Sequence, residues 1–113
     1  MNESSDIITV EDFKNYLNDL DDDEITIIKA YAEWCEPCKK VAPLVEDIME
    51  RMGDNIKLIK VDISKFRKLT KYLKIKAVPT FISFKGTDQM NFMTSGDPEK
   101  IKSFFRKVET YNL

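Results

Sequence analysis

The sequence predicts an α/β domain, with a mixed β-sheet of four to five strands covered by helices on both faces and residues 1–113 forming one unit. Three observations predict it. Short β-branched runs alternate with stripes of helical period in the first part of the chain, which requires parallel pairing across crossover helices. A tight turn near Gly86 then joins two strands that can pair only antiparallel. Between the first two helical stripes, Glu24–Ala32 is almost continuously apolar, as suits a central strand buried on both faces.

In chain order, Ile7–Val10 reads as a short first strand. Thr9 is placed to cap the next helix, with Asp12 three residues on as a weak capping box. Val10, Phe13, Leu17 and Leu20, with Tyr16 beside them, form that helix's apolar stripe. The acidic run Asp19–Glu24 is unfavourable at a helix C-terminus and reads as a solvated loop. Lys29 interrupts the central strand. From Cys35 to Met52 a second helix gathers Val41, Leu44, Val45, Ile48, Met49 and Met52 on one side, with Gly53 placed to end it. Pro43 is expected to kink this helix rather than stop it, since the periodicity continues past it. Ile56–Ile63 is the next strand, and Ser64 is a candidate cap for a short helix carrying Phe66, Leu69, Tyr72 and Leu73. A strand starts at Pro79, turns at Lys85–Asp88 and returns near Gln89–Thr94. The last helix has Asp97 at its N-cap, Pro98 at its first position, and a stripe of Ile101, Phe104, Phe105 and Val108.

Composition narrows the function classes. With 42% hydrophobic residues the chain can build a core without covalent help, so its two cysteines need not be a staple. No apolar run approaches the roughly 18 residues of a membrane span. The start lacks the basic and apolar regions of a secretory signal, so the expected location is the cytoplasm. Residues 1–62 carry net charge −9 and residues 63–113 net +7, and the pI near 5.2 argues against nucleic-acid binding. Histidine is absent, which excludes Cys-His and Ser-His nucleophile pairs and Cys2His2 zinc. Two thiolates alone cannot complete a zinc shell, so no metal is expected.

The cysteines stand two apart, Cys35-Glu36-Pro37-Cys38, where a buried strand gives way to a helix. At that position Cys35 meets unpaired backbone N–H groups and the positive end of the helix dipole, which favour a thiolate. Cys38 lies about one turn on, within sulfur-bonding reach. One cysteine can attack a substrate disulfide and the other resolve the mixed disulfide.

The segment Ala32-Glu33-Trp34-Cys35-Glu36-Pro37-Cys38-Lys39 resembles the active-site segment of the thioredoxin family, and Lys76–Phe81 resembles its second, proline-containing signature. Element order and the separation of the two signatures match over almost the whole chain. The resemblance implies a thioredoxin fold, with Cys35 as exposed nucleophile and Cys38 as buried resolving thiol. It also implies Trp34 as an apolar contact surface, Val78 offering its backbone to an extended substrate, and Pro79 in a cis peptide bond shaping the groove. A small-residue loop opposite the cysteines is matched by Ser95 or Gly96.

Two positions leave the family's common pattern. Glu36 replaces a glycine and should oppose ionisation of Cys35. Lys29 stands where the family buries an aspartate that helps accept the resolving thiol's proton. Lys29 could stabilise a Cys38 thiolate, act as a base if neutral, or simply extend its amine out of the sheet. The basic run Lys65, Arg67, Lys68, Lys71, Lys74 and Lys76 precedes the Pro79 groove and reads as a solvated helix face that could also steer acidic partners.

The expectation is a thiol–disulfide oxidoreductase that reduces protein disulfides. The resemblance implies re-reduction by a thioredoxin reductase using NADPH, with no cofactor bound to the chain itself. A monomer that contacts neither nucleic acid nor membrane is expected. Two rivals stand beside it: a partner-binding module of the same fold with secondary redox activity, and an iron–sulfur or metal carrier bridging two chains.

Overall fold

The computed structural model describes residues 9–113. The elements run α1 (Val10–Asn18), β1 (Ile25–Tyr31), α2 (Glu36–Arg51), β2 (Ile56–Asp62), α3 (Arg67–Tyr72), β3 (Thr80–Lys85), β4 (Asp88–Thr94) and α4 (Pro98–Val108). The sheet order is β2-β1-β3-β4. β1 pairs parallel with β2, while β1–β3 and β3–β4 are antiparallel, so the crossover and the hairpin each produce the pairing their connection demands.

Two cores lie on opposite faces of this sheet. Phe13 and Leu17 of α1 and Leu69 of α3 pack on Ile28, Ala30, Ile59, Val61, Ile82 and Phe84. On the other face Val41, Val45 and Met49 of α2 and Ile101, Phe104 and Phe105 of α4 pack on Ile25, Ile27, Leu58 and Phe81. Successive strand residues alternate between faces, so Lys29, in phase with Ile25 and Ile27, points to the α2 side.

The caps at Thr9 and Asp97 form as expected: Thr9 Oγ1 accepts from Asp12 N–H at 2.9 Å and Asp97 Oδ1 from Glu99 N–H at 3.0 Å. Pro43 lies within α2 and the helix continues past it. Gly86 makes the hairpin turn at φ +55°, and its N–H reaches Glu24 O at 2.8 Å, tying the turn to the start of β1.

Four local expectations need correction. Of the expected first strand, residues 7 and 8 lie outside the described residues; Thr9 is the cap and Val10 the first residue of α1. Gly53 does not end α2 in a left-handed turn; the helix stops at Arg51 with Met52 already extended. Ser64 does not cap α3. Its N–H is instead held by Asp62 Oδ1 at 2.9 Å, and Phe66 occupies the cap without a side-chain bond. Pro79 precedes β3 rather than opening it.

Candidate active site

The turn after β1 delivers Cys35 to the N-cap of α2. Its Sγ accepts the Cys38 N–H at 3.2 Å, so one of the free backbone donors of the helix terminus already points at that sulfur. Pro37 occupies the first turn, where a missing N–H costs nothing. A disulfide joins Cys35 to Cys38. Two thiols that can form a bond here, one of them on a helix N-terminus, can pass two electrons to another disulfide.

Cys35 is not exposed in this oxidised state. It is 3% accessible and Cys38 4%. Ala32 clusters with the two cysteines, and Tyr31, Ile63 and Val78 pack against that cluster. Sequence reading did not include Ile63; it lies 25 residues beyond Cys38 and reaches the site only because β2 runs beside β1, with Ile63 N–H bonded to Tyr31 O at 3.0 Å. Trp34, by contrast, is 69% accessible and stands beside the disulfide as a bare apolar surface.

The Val78–Pro79 peptide bond is cis, with Val78 against the cysteine cluster and Pro79 buried. Thr80 Oγ1 bonds Ala77 O and Thr94 Oγ1, both at 2.7 Å, holding this loop to the end of β4. Of the two loop candidates, Gly96 is the one facing the site. A β-carbon there would lie 3.0 Å from Pro37 Cβ and 3.9 Å from Pro79 Cδ. Ser95 is turned to the local chain, its Oγ accepting Asp97 N–H at 3.0 Å.

Glu36 is exposed and paired with Lys39, Nζ to Oε1 3.3 Å, so its charge is partly offset beside Cys35. Lys29 does not extend out of the sheet: it is 5% accessible. It lines an open pocket of about 560 Å³ together with Ala32, Glu33, Cys38, Ala42 and Lys60. Lys60 is the β2 register partner of Lys29, a juxtaposition visible only once the two strands are aligned. Cys38 therefore borders a pocket carrying two strand lysines.

A CxxC disulfide at a helix N-terminus, set in this sheet beside a cis-proline loop, defines a thiol–disulfide oxidoreductase. The family model for thioredoxin matches residues 4–107. Thioredoxin of Malassezia sympodialis is 32% identical over 82 residues, covering 72% of this chain and 78% of that protein. The chloroplastic thioredoxin Y of Oryza sativa subsp. japonica is 37% identical over 59 residues, covering 52% of this chain and only 35% of that longer protein. The crystal structure of Malassezia sympodialis thioredoxin superimposes with a TM-score of 0.78 at 28% identity, covering 90% of this chain and 89% of that one. The chain belongs to the thioredoxin family.

Proposed function

We propose that the chain reduces protein disulfides, with Cys35 as attacking thiolate and Cys38 as resolving thiol. The observation that carries this reading is the Cys38 N–H donated to Cys35 Sγ at the start of α2, which favours negative charge on that sulfur. The Cys35 thiolate attacks one sulfur of a substrate disulfide, forming a mixed disulfide and releasing the other substrate sulfur as a thiolate. Cys38, deprotonated, then attacks Cys35 Sγ. The second substrate thiolate leaves, the Cys35–Cys38 disulfide forms, and two electrons have passed to the substrate.

Trp34, Val78, Pro79 and Gly96 surround the disulfide and form the surface on which an extended substrate segment lies, with the Val78 backbone offering strand-like hydrogen bonds. Glu36, Pro37 and Lys29 tune the couple. Re-reduction by a thioredoxin reductase drawing on NADPH completes the cycle, with no cofactor held by the chain. It works as a monomer in the cytoplasm. Turbidity of insulin in dithiothreitol, followed by NADPH oxidation with a thioredoxin reductase, tests the reading. Acceleration lost in Cys35→Ser is expected; insulin that stays soluble in the presence of the native chain would leave a partner-binding module.

A further inference from the structure

We infer that the basic face built on α3 is a docking surface for acidic segments of the disulfide-bearing protein substrate. From Ser64 to Thr87 the chain contains no carboxylate and seven lysine or arginine residues. Lys65, Arg67, Lys68, Lys71, Lys74 and Lys76 are all exposed. Lys14 of α1 joins them, its Nζ lying 5.2 Å from the centre of the Tyr72 ring, and Tyr72 is itself 45% accessible.

What makes this face part of the site is its attachment. Ile63 and Val78 bracket the basic segment in sequence, and both pack on the cluster of Cys35 and Cys38. The chain thus leaves the disulfide, carries its positive charges through α3, and returns to the disulfide. A substrate whose cysteine lies on Val78 thus has this basic excursion beside it. The rim contributed by the α2 end carries exposed Glu33 and Lys40 and the Glu36–Lys39 pair, so its charges balance. The positive charge around the groove is therefore concentrated on its α3 side, and it selects substrates that are acidic on that side of the reacting cysteine.

An acidic protein segment fits this face better than a polyanion. The whole chain has net charge −2, and residues 1–62 carry −9, so a long nucleic acid or an anionic bilayer meets repulsion beyond the patch. A short acidic stretch meets only the patch.

This inference rests on the mixed-disulfide reading above, and the test separates the two. Three disulfide peptides with neutral, acidic or basic flanks are reduced by the dithiol form in single turnover, at low and high ionic strength. The acidic peptide should react about ten-fold faster than the basic one in dilute buffer, with the gap falling below about two-fold near 0.5 M salt. The double variant Lys68→Glu, Lys71→Glu should abolish or invert the ratio of acidic to basic rates. The salt dependence of the native chain stands as a second measurement should that variant fold poorly. Equal rates for the two charged peptides, or a preference that survives both salt and charge reversal, overturn the docking surface. So would retention on anionic phospholipid vesicles or RNA that depends on these lysines while the peptide rates are equal. No reduction of the neutral peptide instead overturns the disulfide-reductase reading, and this one with it.

Discussion

Gly96 lies so close to Pro37 that a β-carbon on it would sit 3.0 Å from the proline Cβ, tighter than ordinary contact. Pro37 is a rigid ring in the first turn of α2 between the two cysteines, so it yields little. The loop after β4 and the CxxC turn are in this way fitted to each other through the absence of one side chain. Gly96→Ala is expected to cost about 1 kcal/mol of stability. Any displacement it causes is passed to the cysteines, and insulin reduction should slow by up to roughly ten-fold. Unchanged urea midpoint and unchanged turbidity rate would mean that the loop, rather than Pro37, absorbs the methyl group.

Glu36 is the other neighbour of the nucleophile. Its carboxylate opposes a thiolate on Cys35, and Lys39 at 3.3 Å partly cancels it. Glu36→Gly should therefore make Cys35 more acidic, and Lys39→Ala should make it less so. Thiolate absorbance of the reduced protein against pH reads both. Shifts of the same sign in the two variants would show that the pair does not act on Cys35 through charge.

A role for Lys29 on the second cysteine is testable. Lys29 is buried and lines the same pocket as Cys38, so a charge on its amine would stabilise a Cys38 thiolate relative to the disulfide, which carries none. Removing that charge in Lys29→Met should disfavour the reduced form and move the potential more negative by about 15–30 mV, equivalent to about 0.7–1.4 kcal/mol. Equilibration with glutathione buffers measures it. A potential equal to that of the native chain would confine Lys29 to a structural role.

These positions show what the sequence carried and what it could not. Cys35 and Cys38 were legible because CxxC chemistry depends on local spacing, and Trp34 and Pro79 through the resemblance of their short motifs to the family's. The strands and helices were legible from period alone, and Thr9 and Asp97 from the caps their side chains form. Ile63 and Lys60 were not, because they reach the site through the register of β1 with β2, which no local pattern encodes. The burial of Cys35 could not be read either, because Val78, 43 residues away, packs against its cluster only in the folded chain. The mistaken caps at Gly53 and Ser64 have a common cause. Both residues have the right type for their positions, but other local bonds shape the backbone there: Asp62 Oδ1 holds the Ser64 N–H, and the Met52 N–H returns to Met49 O.

Tyr16 gives the fold an alkaline limit. Burial is the main cause that holds its phenol above the ordinary value of 10.0, with the nearby Glu24 charge adding and a hydrogen bond to Thr26 subtracting. The folded chain therefore keeps this proton to higher pH than the unfolded chain does. The stability it contributes is fully present below about pH 10 and is lost as pH rises through the higher folded value. Tyr16→Phe should cost about 1 kcal/mol at pH 7, where Thr26 Oγ1 loses its 3.1 Å partner. The gap between native and variant should narrow above pH 10, since only the native chain must keep that phenol protonated. Urea unfolding at pH 7 and pH 10.5 tests this; a gap that widens with pH would reverse the assignment.

The end of α3 stores strain at a residue that need not bear it. Lys74 has φ +60°, the left-handed conformation that suits glycine. Ile75 N–H bonds Thr70 O at 3.1 Å and Lys74 N–H bonds Lys71 O at 3.0 Å, the two bonds of a Schellman turn. The turn is demanded by the fold, since buried Leu73 and Ile75 must both reach the α1–α3 core while the chain reverses toward Pro79. A non-glycine residue pays about 1–2 kcal/mol to sit there, and glycine gives back roughly 0.5–1 kcal/mol through the entropy of its unfolded chain. Lys74→Gly should therefore stabilise the protein by about 0.5–1 kcal/mol, read as a higher urea midpoint at unchanged slope. Lys74→Ala removes the same charge without relieving the backbone and should bring no such gain. Equal midpoints for the glycine and alanine variants would show that charge in the basic face, not the backbone, sets the energy at this position.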